Sequence, residues 1–368
     1  MRKLPRRVQL LLCVDLLLRI QGPPEVSKKT YFVVNDTRYD NHHGGWRVMA
    51  NLHLGMERRG WQCSGSLPVS AQVQHLNKHR KAISESNLIL VNGEGSLHHN
   101  SRNAMRLFDI MNQLRKQPPV VLLNALWQDN DPERWHPLLS GLSAVYTRDR
   151  RSQSQLEAIG INAAYAPDLT FYNYPDYSGG QQSRYLITDS VLKKWDETAY
   201  AVCQRDSECD FRTLLTRRPN FSRGSRDWGR QLKFSLYPYL FERFGSDVPA
   251  RYKVVANATN NSEQFLQSLA AYRGICAARY HALCFAIQQQ VPMLFVSSNS
   301  HKSEALIEEI GLPQALFKYD NSRAGDLKLQ LQQVSAQYAD YAERVTSFNI
   351  MAKQKIDAMF DHIVDIYD

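Results

Sequence analysis

This 368-residue sequence lacks several features, and each absence removes a class of protein. No apolar run reaches the roughly 20 residues that a bilayer-spanning helix needs. The N-terminal "MRKLPRRVQLLLCVDLLLRIQGPPEV" comes nearest, but Asp15 and Arg19 interrupt it and no small-x-small cleavage site follows. Residues 1–27 therefore read as a disordered or amphipathic extension, with peripheral membrane contact left open. The six cysteines, at 13, 63, 203, 209, 276 and 284, form no C-x-x-C pair. A reduced, cytoplasmic protein is the expectation, with Cys276 and Cys284 in apolar runs that bury free thiols. Internal repeats, low-complexity tracts and nucleic-acid motifs are missing too, so the basic charge does not imply nucleic acid.

What is present is an excess of positive charge, 45 Lys and Arg against 36 Asp and Glu, which favours anionic partners. The length, at 43% hydrophobic residues, suits two domains rather than one core. From Tyr31 the chain alternates strand and helix: "TYFVVND" as a buried strand, "HHGGWRVMANLHLGMERRG" as a loop feeding a helix closed by Gly60, "SNLILVNGEGS" as a strand into a turn. A helical pattern over Ala104 to Lys116, the strand "PVVLLNALWQD", the strand "SAVYTRDRRS", the helix "SQLEAIG" and a last strand in "AAYAPDLTFY" complete a first unit. After the polar "YPDYSGGQQS" the pattern restarts with "RYLITDS", a strand over Tyr252 to Ala256, a helix over Glu263 to Tyr272, a strand over Gly274 to Ala278, a helix near His281 and the strand "VPMLFVS". The expected architecture is α/β: two Rossmann-like domains facing a cleft, 28–175 and 176–325, each with a parallel sheet. A helical segment over 326–368 is expected to pack back on the first domain. Within the stretch from Cys203 to Gly245, "FRTLLTRRPNFSRGSRDWGR" sets six arginines among loop formers, which suits either a solvated face or a substrate-binding lid.

The chemistry gathers at predicted strand carboxyl ends. In "ARYHALCFAI", Arg279 and His281 follow a strand of small residues and precede a helix, where N-terminal amides attract anions. Arginine offers a bidentate fork to phosphate or carboxylate, and histidine exchanges a proton near neutral pH. The plainer reading is an arginine paired with a buried acid and a histidine satisfied by backbone. Three other turns of the same kind, "SSNSHKSEAL" with His301 and Lys302, "GEGSLHHN" with Gly93, Glu94, Gly95 and Ser96, and "YTRDRRS" with Arg148 and Asp149, favour an enzyme cleft. His42, His43, His98 and His99 have no tidy metal-ligand spacing, so no metal site is expected.

These pieces resemble the polysaccharide pyruvyl transferase family: "LILVNGEGSLHH", "VYTRDRRSQSQLEAIGI", "APDLTF" and "ARYHALCFAIQQQVPMLFVSSNSHKSEALIEEIGL", together spanning most of the chain from Tyr31 to Leu312. The resemblance implies a glycosyltransferase-B-like fold and cytoplasmic transfer of pyruvate from phosphoenolpyruvate, a co-substrate, onto a sugar of a cell-envelope polysaccharide as a ketal. No cofactor is implied. It assigns Arg279 and Arg148 to the donor's phosphate or carboxylate, with Lys302 and His301 beside them, and His281 to acid catalysis. The family's turn is commonly three glycines, whereas here Glu94 stands in the middle, a candidate to hold or deprotonate an acceptor hydroxyl. Asn41, in an entry loop that departs from the usual Asn-x-Gly-Asp, joins Gly93, Gly95 and Ser96 as acceptor or loop contacts. Asp149 is expected to orient Arg148, Asp168 to cap the domain junction, and Ser96 and Ser152 to cap helices. The partners are then an anionic small-molecule donor and a glycan acceptor, lipid-linked acceptors included. Two alternatives remain at this point: a nucleotide-sugar-dependent glycosyltransferase and a non-catalytic binder of anionic glycans.

Overall fold

The computed structural model describes residues 29–115, 118–177, 184–216, 236, 243, 250–255, 258–319 and 327–367. The expected extension over 1–27 and most of the basic stretch from Cys203 to Gly245 lie outside the described residues.

Strand β1 (Thr30–Asp36) is buried on both faces, as a central parallel strand must be. It pairs with β2 (Gln62–Pro68) and β3 (Leu88–His98), and β4 (Val120–Gln128), β5 (Ala144–Thr147) and β6 (Ala164–Tyr165) extend the sheet in the order β2-β1-β3-β4-β5-β6, all parallel. A second parallel sheet runs β10-β9-β7-β8, from β7 (Tyr185–Thr188), β8 (Cys209–Arg212), β9 (Gly274–Ala277) and β10 (Met293–Phe295). Each sheet starts in its middle and reverses direction there, between β1 and β3 in one and between β7 and β9 in the other. The carboxyl ends beside such a reversal are where open α/β sheets bind ligands.

The sheet faces are assigned by alternation. Tyr31 and Val33 point into a core that includes α1 (His43–Glu57) and continues through the second half, whereas Phe32 and Val34 point into a separate core with α2 (Leu76–Ser84), α3 (Arg102–Leu114), α4 (Pro132–Leu139) and α5 (Arg150–Ala158). The second half carries α6 (Lys193–Arg205), α7 (Ala250–Val255), α8 (Ser262–Ala270), α9 (Tyr280–Gln288), α10 (Lys302–Glu309) and α11 (Gln314–Phe317). Two α/β halves thus share one of their cores.

The C-terminal segment returns to the first half, as expected, but as two helices, α12 (Leu327–Gln337) and α13 (Ala342–Asp365), parted by a 3-10 turn at Tyr338–Asp340. Phe360 of α13 is buried against Gly55, where any side-chain carbon would overlap its ring. Around it Arg59 pairs with Asp357 and Asp361, and the Tyr172 hydroxyl donates to Asp357 at 2.9 Å.

Three local expectations change. Residues 250–255 are helix, not strand: Ala250 and Val255 are buried and the helix packs on α6 and β8, a tertiary preference that the short "YKVVA" pattern cannot report. The helix after β1 begins at His43, so its two glycines lie inside the first turn rather than in the loop. The strand expected in "AAYAPDLTFY" lasts two residues before a 3-10 turn at Leu169–Phe171.

Truncating Phe360 to alanine should cost about 3–5 kcal/mol, the range for large buried aromatics, with no cavity-filling relaxation because Gly55 offers no side chain. Denaturant unfolding measures this, and a loss under about 1 kcal/mol would mean that α13 is not docked as described.

Candidate active site

Arg279 lies two residues beyond the end of β9 and is the N-cap residue of α9. Its Nε donates to the fully buried Asp189, after β7, at 2.8 Å, and its Nη2 forms an ion pair with the same oxygen at 2.6 Å. Arg148 follows β5 and is itself buried; its Nη1 donates to Asp168 at 3.2 Å and its guanidinium stacks on Tyr280 at 4.2 Å. The first arginine belongs to the second half and the second to the first, and both line one cavity of about 130 Å³ with His42, Glu94, Gly95, Tyr280, His281, Ser298 and Lys302. The cavity therefore lies between the reversal points of the two sheets.

His281 sits in the first turn of α9, with Nε2 3.8 Å from both Glu94 Oε1 and Asp168 Oδ2. Among the described residues neither His281 Nε2 nor Glu94 Oε1, both buried, has a hydrogen-bond partner, and each is the other's near neighbour in the cavity. Gly44, in the first turn of α1, abuts the His281 ring so closely that a Cβ there would overlap it. One glycine of the "HHGG" run is thus required by contact across the cleft. Glu94 has φ +43°, in the left-handed region where a side chain costs about 1–2 kcal/mol. The backbone still asks for glycine here, and the chain holds a carboxylate in its place.

The charges are tuned by this enclosure. Burial pushes the Glu94 carboxyl up to about 7, with Asp168 adding to the rise and His281 opposing it. Burial would also raise Asp168, but His281 and Arg148 outweigh it and hold Asp168 far below the usual carboxylate range. Burial, then Arg148 and Arg279, bring Lys302 down to about 8. Burial and the neighbouring Arg279 and His281 keep His42 neutral, its pKa far below the imidazole range. Its Nδ1 accepts the Gly44 amide hydrogen at 3.0 Å as the N-cap of α1, so the ring hydrogen is on Nε2. With the N-termini of α1, α9 and α10 nearby, the cavity suits a small, multiply charged anion.

Of the residues singled out from sequence, His281, Glu94, Arg279, Arg148, Lys302 and Gly95 come together in this cavity. The other four do not line it. His301 turns to Asp149, 3.1 Å from its Nε2, and its amide donates to Gln128 at 2.9 Å. Asn41 is buried with both side-chain amide atoms unpartnered, its carbonyl accepting the Thr216 amide at 3.2 Å. Gly93 lies where a Cβ would be 2.6 Å from Ala125, so its part is close strand packing. Ser96 uses its carbonyl to accept the Ser101 hydroxyl at 3.2 Å. Asp149 caps α5 by accepting from Ser152 N at 2.7 Å, and Asp168 is the carboxylate that holds Arg148 while capping the 3-10 turn at Thr170 N, so their expected roles are exchanged. Ser101 and Asp149, not Ser96 and Ser152, supply the helix caps. Sequence reasoning missed His42 and Asp189. From sequence His42 is considered only as a metal ligand, and as a histidine it falls outside the Ser, Thr, Asp and Asn set that signals a helix N-cap.

Fold and cavity define a two-halved α/β protein with a cleft at its strand carboxyl ends lined by two arginines and a lysine. Residues 19–300, well over half the chain, match the family described as polysaccharide pyruvyl transferase, and the chain belongs to that family. It is accordingly a transferase that modifies a glycan. No curated protein matches it. Among solved structures, it is similar to an uncharacterized protein of Klebsiella pneumoniae (13% identity, 81% of this chain and 93% of that one, TM-score 0.47). It is also similar to a UDP-GlcNAc 2-epimerase of Methanocaldococcus jannaschii (12%, 84% and 92%, 0.46) and to an α-glucosyltransferase bound to UDP and DNA (7%, 92% and 100%, 0.49). Among the described residues, no helix is long and apolar enough to cross a membrane.

The raised Glu94 pKa makes a stability prediction. The folded state holds its proton from the unfolded value of 4.5 up to about 7, so the wild type loses stability as pH rises through that window. E94Q lacks this loss, so its stability relative to wild type should climb between those pH values and level off above them. The gain should be a few kcal/mol at most, since one pKa unit corresponds to about 1.4 kcal/mol. Parallel stability curves for the two proteins from pH 5 to 8 would show that Glu94 is not desolvated.

Proposed function

We propose that this protein transfers pyruvate from phosphoenolpyruvate to two hydroxyls of one sugar in a glycan, forming a ketal and releasing phosphate. The observation that carries this reading is the size and charge of the cavity. About 130 Å³ between Arg148, Arg279 and Lys302 accommodates a small anion carrying a phosphate and a carboxylate. A nucleotide sugar, a drug-sized ligand, would call for about 300 Å³ or more. Family membership supports the same choice.

The residues divide the work as follows. Arg148 and Arg279 hold the donor's phosphate and carboxylate, and Lys302 offsets the charge of the departing phosphate. His281 protonates the methylene carbon, leaving an oxocarbenium-like centre at the carbon that bears the phosphate oxygen. Glu94, with a pKa of about 7, takes the proton of the first sugar hydroxyl as that oxygen bonds to the centre. The C–O bond to phosphate then breaks, and the second hydroxyl closes the ketal. Of the two hydroxyl protons, one replaces the proton that ended on the methyl group and the other leaves on phosphate. His42, as a neutral Nε2–H donor, contributes a hydrogen bond without adding charge. The acceptor, lipid-linked or free, meets the donor at the mouth of the cavity, and the reaction belongs in the cytoplasm, where phosphoenolpyruvate is made.

Thermal unfolding with phosphoenolpyruvate and, separately, UDP tests the donor. At 100 times its dissociation constant a ligand stabilises by about 2.7 kcal/mol, a rise of a few degrees for a chain of this size. Phosphoenolpyruvate should protect the wild type and not Arg279→Ala. Protection by UDP alone would replace pyruvyl transfer with glycosyl transfer.

A further inference from the structure

Asp189 is fully buried behind the cavity, at the carboxyl end of β7. One of its oxygens, Oδ2, accepts the Arg279 Nε hydrogen bond and forms an ion pair with Nη2 of the same guanidinium. The other, Oδ1, accepts the Leu214 amide at 2.8 Å. From Leu214 the connection crosses to the other half of the molecule: the Leu214 carbonyl accepts the His43 amide at 3.1 Å, Leu215 bridges His42 in antiparallel fashion, and the Thr216 amide donates to the Asn41 carbonyl at 3.2 Å. The loop pinned in this way carries His42 and leads straight into Gly44, which presses on His281.

We propose that Asp189 is a positioning residue that sets both walls of the site, holding Arg279 with one carboxylate oxygen and, with the other, the Leu214 to Thr216 segment that fixes His42 opposite. This deepens the donor reading given above and rests on it for its kinetic consequence. A carboxylate is required because both oxygens meet only N–H donors, one of them cationic. An amide in its place could serve only one of the two, since its nitrogen would face a second donor. The link runs along backbone hydrogen bonds, so the position of His42 depends on a side chain of the opposite half rather than on its own loop alone.

Two variants separate this role from charge alone. Asp189→Ala removes both connections. Arg279→Lys keeps a cation against Asp189 and leaves the Leu214 link untouched. In ¹H–¹⁵N spectra of the free protein, the histidine ring signals should show His42 fixed as the Nε2–H tautomer in wild type and in Arg279→Lys. In Asp189→Ala the two tautomers should average. With phosphoenolpyruvate, both variants should raise KM about tenfold or more, and only Asp189→Ala should also lower kcat, by up to about 100-fold, the scale of an ångström misplacement. A fixed His42 tautomer in a folded Asp189→Ala protein would overturn the proposal, whatever the kinetics. If Asp189→Ala does not fold, Asp189→Asn carries the test: it must lose either the His42 tautomer or the donor KM, and keeping both overturns the proposal. If phosphoenolpyruvate fails to bind the wild type, the donor reading falls, and the tautomer comparison still decides on Asp189.

Discussion

Two arginines held by fully buried carboxylates, Arg148 itself buried and Arg279 largely so, are the constraint around which the molecule is arranged. A guanidinium withdrawn from water costs several kcal/mol unless a carboxylate meets it with good geometry, and such pairs are destabilising once either partner is removed. Arg148 has Asp168 and Arg279 has Asp189, and in both pairs the acid is fully buried. These acids fix where each arginine points. What remains of each guanidinium is then free to face the cavity, so an anion arriving there meets donors that need no rearrangement, in a setting where charge is weakly screened.

The topology places those pairs. Both sheets reverse beside their first strand, and both reversals open toward the same space. Asp189 and Arg279 come from the two strands flanking one reversal, and Glu94 from a strand flanking the other. Neither half could build the cavity alone. The halves are also held together by contacts between residues that do not line the cavity: His43 Nδ1 with the Ser262 hydroxyl at 2.9 Å, Arg47 with Glu263, and Arg151 with Glu308. They share a core, and a C-terminal helix clasps the first half. This shared packing limits how far the cleft can widen without breaking buried contacts.

Much of this was legible in the sequence because strand carboxyl ends announce themselves. An apolar run followed by Gly, Arg or His and then a helical pattern locates a turn, and four such turns supplied six residues of the cavity. The direction of a side chain within a turn is not in that signal. His301 and Asn41 lie on the right loops and do not line the cavity: the His301 ring meets Asp149, and the Asn41 backbone carbonyl is taken by the Thr216 amide. The edge strand β2 was passed over for a related reason: its first three residues, "QCS", are exposed, so no apolar run marks it. The roles of Asp149 and Asp168 were exchanged because both follow a turn at a suitable spacing. Only the fold shows which acid reaches Arg148.

Glu94 is where local preference and function part. Its backbone is left-handed, its carboxyl is dehydrated, and one of its oxygens has no partner, three costs at a single residue. None is offset by packing in the structure, since the unpartnered oxygen looks toward an equally unpartnered His281 nitrogen 3.8 Å away. That separation is too long for a direct hydrogen bond and leaves the pair to act on what enters between them. A glycine would relieve the strain and the dehydration together, and would leave His281 with Asp168 as its nearest acid. Asp168, already committed to Arg148 and held ionised, cannot exchange a proton near neutral pH. A carboxylate with a pKa of about 7 therefore adds to the cavity a second group, beside His281, suited to exchange a proton near neutral pH.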